Sequence, residues 1–171
     1  IYTYVEDLPP ETQLLFKYDP ELAKKMLAEA GYPKGFEMEM VIPSADANFN
    51  DTAALLVDQW SKLGVKLKLV SMEKAAHLTL LTSRQYKDAY LEGNSMSLSD
   101  VMENLSGEIK NSSSFVDEYY DKEFARAATI MNAGLQAEVI RNIVVRYTDN
   151  SHRIQLPAGF LASAMWPWVK N

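Results

Sequence analysis

Residues 18–36 read YDPELAKKMLAEAGYPKGF, and this stretch predicts a helix, a turn and a strand in close succession. Asp19 is a typical helix N-cap, and Pro20 suits the first helical position because no N–H is needed there. Gly31 can adopt the left-handed conformation that ends a helix, and Pro33 prevents the helix from resuming. The helix carries an apolar stripe that has to pack on another element. Its members are Leu22, Ala23, Met26, Leu27 and Ala30.

The residues after this turn alternate in character as in a β-strand. Even-numbered positions from 36 to 42 are apolar, whereas Glu37 and Glu39 are charged. A loop over 43–50 should lead to a helix that Asp51 caps and Gly64 ends. VKLKLV at 65–70 is a second amphipathic strand. A strand, a helix and a strand with short connections predict a parallel pair.

The same alternation continues along the chain. A helix is predicted over 72–85, a short strand over 88–92, two helices over 122–133 and 136–150 joined at Gly134, and a last strand over 153–156. The long connection 93–118 is rich in Ser and Asn, and such connections are more often functional than idle. We expect an α/β fold with a mixed, mainly parallel sheet flanked by helices, preceded by an extended segment over 1–17.

Composition limits the classes of function. The chain has 171 residues, which suits one domain, and its net charge of -6 argues against nucleic acid or an anionic membrane as partner. The chain contains no cysteine, so disulfides are excluded. The longest apolar-rich segment, 156–169, is too short for a membrane span and is interrupted by Pro157 and Pro167.

Residues suited to catalysis or metal binding are few. His77 and His152 are the two histidines of the chain, so a multi-histidine metal site has little to draw on. An acidic cluster at 117–123 could bind a cation, but acidic residues just before a helix are more often a solvated cap. We expect a cap there, and neither a metal nor a cofactor.

Four stretches together resemble a known family in their order and spacing: residues 18–36, WSKLGVKLKLVSME at 60–73, QYKDAYLEG at 85–93 and WPWVKN at 166–171. The family is bacterial extracellular solute-binding protein family 5, the binding proteins of ABC importers for peptides and nickel. The resemblance covers essentially the whole chain. It implies a periplasmic-binding-protein-like lobe (type II, cluster C) and a periplasmic or other extracytoplasmic location, with or without a lipid anchor.

Proteins of that family close two lobes around a ligand, and the second lobe is an insertion into the first. The resemblance implies that residues 1–171 are this second lobe alone, with 1–17 leading into it and 166–171 returning through the hinge to the missing first lobe. It also implies a small solute such as a peptide as ligand, and an ABC permease and ATPase as partners. No catalysis is expected.

The ligand residues follow from the resemblance position by position. Matching Asp88 and Gly93 to the family's strand places Asn94 at a tryptophan and Ser97 at an aspartate that binds the amino terminus of peptides. A neutral serine cannot supply that charge-assisted bond, worth roughly 1.5–3 kcal/mol, so nearby acids are candidates to replace it. The expected ligand-binding set is Glu92, Asn94, Ser97, Asp100, Glu103 and Trp166.

Two alternative functions stay open from the sequence. The first is a self-contained small α/β hydrolase that uses Ser97 with His77 or His152. The second is a sensory ligand-binding domain that passes its ligand state to a receptor rather than to a permease.

Overall fold

A computed structural model describes residues 4–93, 105–108, 111–151, 153, 154 and 156. Three strands in this part of the chain form one sheet: β1 (Glu37–Pro43), β2 (Lys66–Met72) and β3 (Ala89–Tyr90). The longer helices are α1 (Pro20–Glu29), α2 (Ala47–Ser61), α3 (Lys74–Ser83), α4 (Glu118–Thr129) and α5 (Ala133–Asp149).

The three described strands are parallel and lie in the order β2-β1-β3. Met40 of β1 lies opposite Leu69 of β2 on one side and opposite Ala89 of β3 on the other. The Leu91 N–H donates to the carbonyl of Val41 at 2.9 Å, so pairing continues one residue past β3. The predicted α/β architecture, with a parallel sheet flanked by helices, is confirmed.

Helix α2 covers one face of the sheet. Alternation in β1 directs Met40 and Ile42 towards this helix, where Ala53 and Leu56 are buried against them. Leu67 of β2 belongs to the same cluster. Because α2 connects β1 to β2 and packs on both, the strand-helix-strand unit buries its own core.

Helices α4 and α5 pack on each other around a second apolar cluster. Tyr120 of α4 is fully buried beside Ile143 and Tyr147 of α5. The rings of Tyr120 and Tyr147 lie 5.9 Å apart, and Phe115 meets both rings edge-on. This pair is therefore held by aromatic packing of its own.

An extended segment was expected over residues 1–17, but the described residues 4–17 differ from it. Val5–Asp7, Pro10–Gln13 and Leu14–Phe16 form three short helices. Pro10 starts the second of them, because its fixed φ suits the first helical position. The buried Thr12 hydroxyl donates to the Asp149 carboxylate at 2.6 Å and ties this region to α5.

Several predicted boundaries are wrong by a few residues. Asp46 rather than Asp51 caps α2, because it accepts a hydrogen bond from the Asn48 N–H at 2.9 Å. Asn132 caps α5, so Gly134 lies in the first helical turn rather than at the joint. The last strand predicted over 153–156 is not seen at the described positions 153, 154 and 156.

The capped helix α1 is confirmed, although its apolar stripe is not buried by the described residues. The Asp19 side chain accepts from the Leu22 N–H at 3.0 Å, as its N-cap role requires. Gly31 ends the helix with φ +93°, and the Tyr32 N–H returns to the carbonyl of Leu27 at 2.8 Å. Met26 is 56% exposed.

No described helix is long and apolar enough to cross a bilayer.

Gly35 and Gly64, which lie just before β1 and β2, are in close contact with each other. Gly35 has φ +73°, and a Cβ there would overlap the carbonyl of Gly64 and lie 2.8 Å from its Cα. Gly64 has φ +85°. The Lys66 N–H beside it donates to the carbonyl of Phe36 at 2.8 Å, which begins the pairing of the two strands. The absence of a side chain at Gly35 therefore permits this approach.

We predict that Gly35→Ala lowers the free energy of unfolding more than Gly31→Ala does, by at least about 2 kcal/mol. Both glycines have positive φ, so both changes carry the left-handed penalty of about 1–2 kcal/mol. A Cβ at Gly31 meets nothing within 4 Å, so the difference isolates the backbone clash. Urea denaturation of both variants measures it, and equal losses would contradict this account.

Candidate functional site

The carboxyl ends of the three described strands meet at one edge of the sheet, because all three are parallel. Beyond β1, the Ser44 N–H donates to the carbonyl of Met72 at 2.7 Å, which joins the ends of β1 and β2. Helices α2 and α3 both begin at this edge, capped by Asp46 and Glu73. We call Ser44–Phe49, Glu73 and Leu91–Gly93 the carboxyl edge.

An aromatic ring borders the point where the chain leaves β3. Phe49, in the first turns of α2, is partly buried against the sheet core. A Cβ at Gly93 would lie 3.0 Å from Cζ of Phe49. Glycine therefore lets the chain pass close to this ring, and the carboxyl edge combines an aromatic face with polar residues.

Glu92 lies at this edge in an ion pair with a distant residue. Its Oε1 is 3.8 Å from Nη1 of Arg153, and the two side chains are 29% and 18% exposed. The Arg153 Nη2 also donates to the Ser112 hydroxyl at 3.0 Å. Because the pair is largely withdrawn from water, its electrostatic attraction is less screened than that of a surface pair.

The segment around Ser112 is held together by the buried side-chain amide of Asn111. Asn111 is 1% exposed, and its Nδ2 donates to the carbonyls of Leu105 and Phe115 at 3.2 and 2.6 Å. The Tyr86 hydroxyl donates to the carbonyl of Ser112 at 2.6 Å. These bonds fix the segment beside the end of β3.

His77 lies in helix α3, as the sequence predicted, and its ring contacts β3 and the residue after it. One ring nitrogen, Nε2, lies 3.2 Å from the carbonyl of Leu91, and the other, Nδ1, contacts the Tyr90 hydroxyl. Burial lowers the pKa of His77 and raises the pKa of Tyr90. One ring nitrogen is thus engaged by a backbone carbonyl and the other by Tyr90. Because neither nitrogen is left for another side chain, His77 is poorly placed to activate a nucleophile.

The acidic cluster comprises Asp117, Glu118, Asp121 and Glu123. The Asp117 carboxylate accepts from the N–H groups of Tyr119 and Tyr120 at 3.0 and 3.2 Å, so Asp117 caps α4, whereas the other three acids lie within this helix rather than before it. Arg146 Nε donates to it at 2.6 Å, and this bond holds the pKa of Asp117 below its usual value. In the described part of the chain, no three His, Asp or Glu side chains come together in a way that could hold a metal ion.

The structure places one of the six expected ligand residues, Glu92, at the carboxyl edge. The other five lie outside the described residues: Asn94, Ser97, Asp100, Glu103 and Trp166. Sequence reasoning missed the contact of Glu92 with Arg153 and the bond from Arg153 to Ser112. No local pattern could have indicated them, because Arg153 is far from Glu92 along the chain.

We predict that stability falls as the pH drops from about 7 to 5, and that His77→Gln weakens this dependence. The lowered pKa of His77 in the folded state means that the unfolded chain binds more protons below pH about 6.5, which favours unfolding. Urea denaturation across this range measures the effect. His152→Gln, which retains His77, is the control, and an unchanged pH dependence in His77→Gln would contradict the assignment.

Comparison with known proteins links this fold to a family. The family model described as bacterial extracellular solute-binding proteins, family 5 Middle, matches residues 1–114. Heme-binding protein A of Haemophilus influenzae is 45% identical over 64 residues, which are 35% of this chain and 12% of that protein. The chain thus spans a small part of this curated relative's length.

Solved structures share the same fold. HbpA2 from Haemophilus parasuis superposes with a TM-score of 0.71 at 28% identity, over 81% of this chain and 29% of that one. The ABC transporter-associated periplasmic binding protein DppA from Helicobacter pylori, in complex with peptide STSA, gives 0.69 at 17% identity, over 89% and 30%. The fold is that of part of a periplasmic binding protein, and the chain belongs to the bacterial extracellular solute-binding proteins of family 5.

Proposed function

We propose that this chain is one ligand-binding lobe of an ABC importer's solute-binding protein and acts by binding rather than by catalysis. One observation carries the proposal: the parallel strands of this family 5 chain all end at the same edge of the sheet. Glu92 and Gly93 lie at that edge. Ligands of layered α/β sheets bind beyond the carboxyl ends of the strands. The carboxyl edge therefore forms one wall of a cleft.

The chemistry of this edge suits a small solute with both polar and apolar parts. Phe49 supplies a partly exposed aromatic face, and Glu92 supplies a carboxylate that is not fully buried. Small-molecule sites typically combine an apolar wall with a few polar groups of this kind. A carboxylate suits a protonated amine, such as the amino terminus of a peptide.

The relatives support this class of ligand. One is a heme-binding protein by name, and another was solved with a four-residue peptide. We favour a peptide because of the carboxylate at the carboxyl edge, with hemin as the second probe. The proposed ligand set remains Glu92, Asn94, Ser97, Asp100, Glu103 and Trp166.

The opposite wall would come from the first lobe of the full-length protein. In this proposal residues 1–171 form one lobe, 1–17 lead into it and 166–171 return through the hinge. Ligand bound between the lobes would favour the closed form, which an ABC permease, coupled to its ATPase, recognises outside the cytoplasm. A lipid anchor on the full-length protein is compatible with this arrangement.

We predict that the full-length protein binds peptide Ser-Thr-Ser-Ala or hemin at least about 100-fold more tightly than residues 1–171 alone. Half of the contacts are absent in the isolated lobe, and each 1.4 kcal/mol lost weakens binding tenfold. Isothermal titration calorimetry with both probes measures the ratio. Equal affinity of lobe and full-length protein, or no binding of either probe to the latter, would overturn the proposal.

A second prediction concerns the carboxylate at the carboxyl edge. Glu92→Gln in the full-length protein should weaken binding of the peptide by about 10-fold or more, because a charge-assisted bond to its amine is lost. Glu37→Gln is the matched control: Glu37 also pairs with a cation, Lys66, at 2.8 Å, but it begins β1 at the opposite edge. Equal effects of the two changes would exclude a ligand role for Glu92.

A further inference from the structure

Arg153 joins two stretches of chain that border residues 94–104 in sequence. On one side it pairs with Glu92, just past β3. On the other side it donates to the hydroxyl of Ser112. The guanidinium group is a rigid, planar fork with five N–H donors, so it can hold two partners at a fixed angle to each other.

The Ser112 side of this bridge is firmly anchored without Arg153. Ser112 is buried, and its carbonyl accepts from the Tyr86 hydroxyl. Arg84 Nη2 donates to the carbonyl of Glu108 at 2.6 Å, which ties the same segment to the end of α3. The amide of Asn111 bonds the segment internally. Ser112 therefore provides a fixed point for the Arg153 side chain.

The backbone on the Glu92 side is also fixed. The Leu91 N–H pairs with Val41 in the central strand, and Gly93 lies against the ring of Phe49. The long side chain of Glu92, in contrast, has rotatable bonds that the backbone does not restrain. Its contact with Arg153 couples the direction of its carboxylate to the anchored Ser112 segment.

We propose that Arg153 is a positioning residue of the ligand-binding wall, which orients the Glu92 carboxylate towards the cleft by holding Glu92 and Ser112 together. This inference rests on the proposed function, since it assigns Glu92 to the ligand. Tyr86 and Arg84 hold the Ser112 segment independently, and the bond from Leu91 to Val41 holds the backbone beside Glu92, so loss of Arg153 should disturb the orientation of the carboxylate more than the fold.

The test uses the full-length protein with Arg153→Met, Arg153→Lys and the control Arg126→Met. Arg126 also pairs with a glutamate, Glu123, but on the exposed surface of α4, with its Nε 2.9 Å from Oε2. The probes are peptide Ser-Thr-Ser-Ala and its N-acetylated form, which lacks the ammonium group. Calorimetry gives the affinities, and hydrogen exchange reports the backbone at 91–93 and 111–115.

Arg153→Met should weaken binding of the free peptide about 10-fold and binding of the acetylated peptide less than about 2-fold, with backbone exchange at both segments unchanged. Arg126→Met should change neither. Arg153→Lys keeps the charge but lacks the fork, so it should remain impaired. The effect should vanish in a Glu92→Gln background, because no carboxylate is then left to orient.

Equal loss for both peptide forms would assign Arg153 a purely structural role and overturn the inference, as would full recovery in Arg153→Lys. Normal affinity of Arg153→Met would overturn it too, while the proposed function would stand. If the unchanged protein binds neither peptide nor hemin, the proposed function fails first. Faster exchange at 91–93 and 111–115 in Arg153→Met would then assign Arg153 to the fold and overturn the inference as well.

Discussion

The central strand β1 is the element on which the rest of the described sheet depends. Its backbone bonds to β2 on one side and to β3 on the other, and Val41 and Ile42 are almost fully buried. Helix α2 packs on its apolar face, and α3 contacts it on the way from β2 to β3. The parallel direction of all three strands brings the residues after each strand to one edge. The carboxyl edge is thus a consequence of how β1 is paired.

Local signals were sufficient for the elements that the sequence predicted well. Asp19, Pro20 and Gly31 specify the ends of α1 through backbone chemistry that acts within a few residues. Errors arose where two local choices compete. Asp46 and Asp51 are both capable caps, and Asp46 is the one whose side chain accepts from the first turn of α2. Pro9 and Pro10 suggested an extended segment, but Pro10 also suits the start of a short helix.

The candidate site could be predicted only in part, for a physical reason. Glu92 follows a strand that alternation reveals, so its position at an edge was accessible from the sequence. Its pairing with Arg153 and the bond from Arg153 to Ser112 join segments that are distant along the chain. Such contacts depend on tertiary packing, and no periodicity or spacing encodes them. The family resemblance identified the fold, but it supplied no residue matching Arg153.

The contact between Gly35 and Gly64 lies where β1 and β2 begin, at the end of the sheet opposite Glu92 and Phe49. The glycine contact that starts strand pairing and the ligand contacts that we propose at the carboxyl edge are thus separated by the length of the strands. Substitutions on the cleft side can accumulate without touching the glycine contact that starts the pairing. In the function that we propose, such a chain can acquire preferences for new solutes while its scaffold remains unchanged, which makes the carboxyl edge a natural target for engineering receptors of altered selectivity.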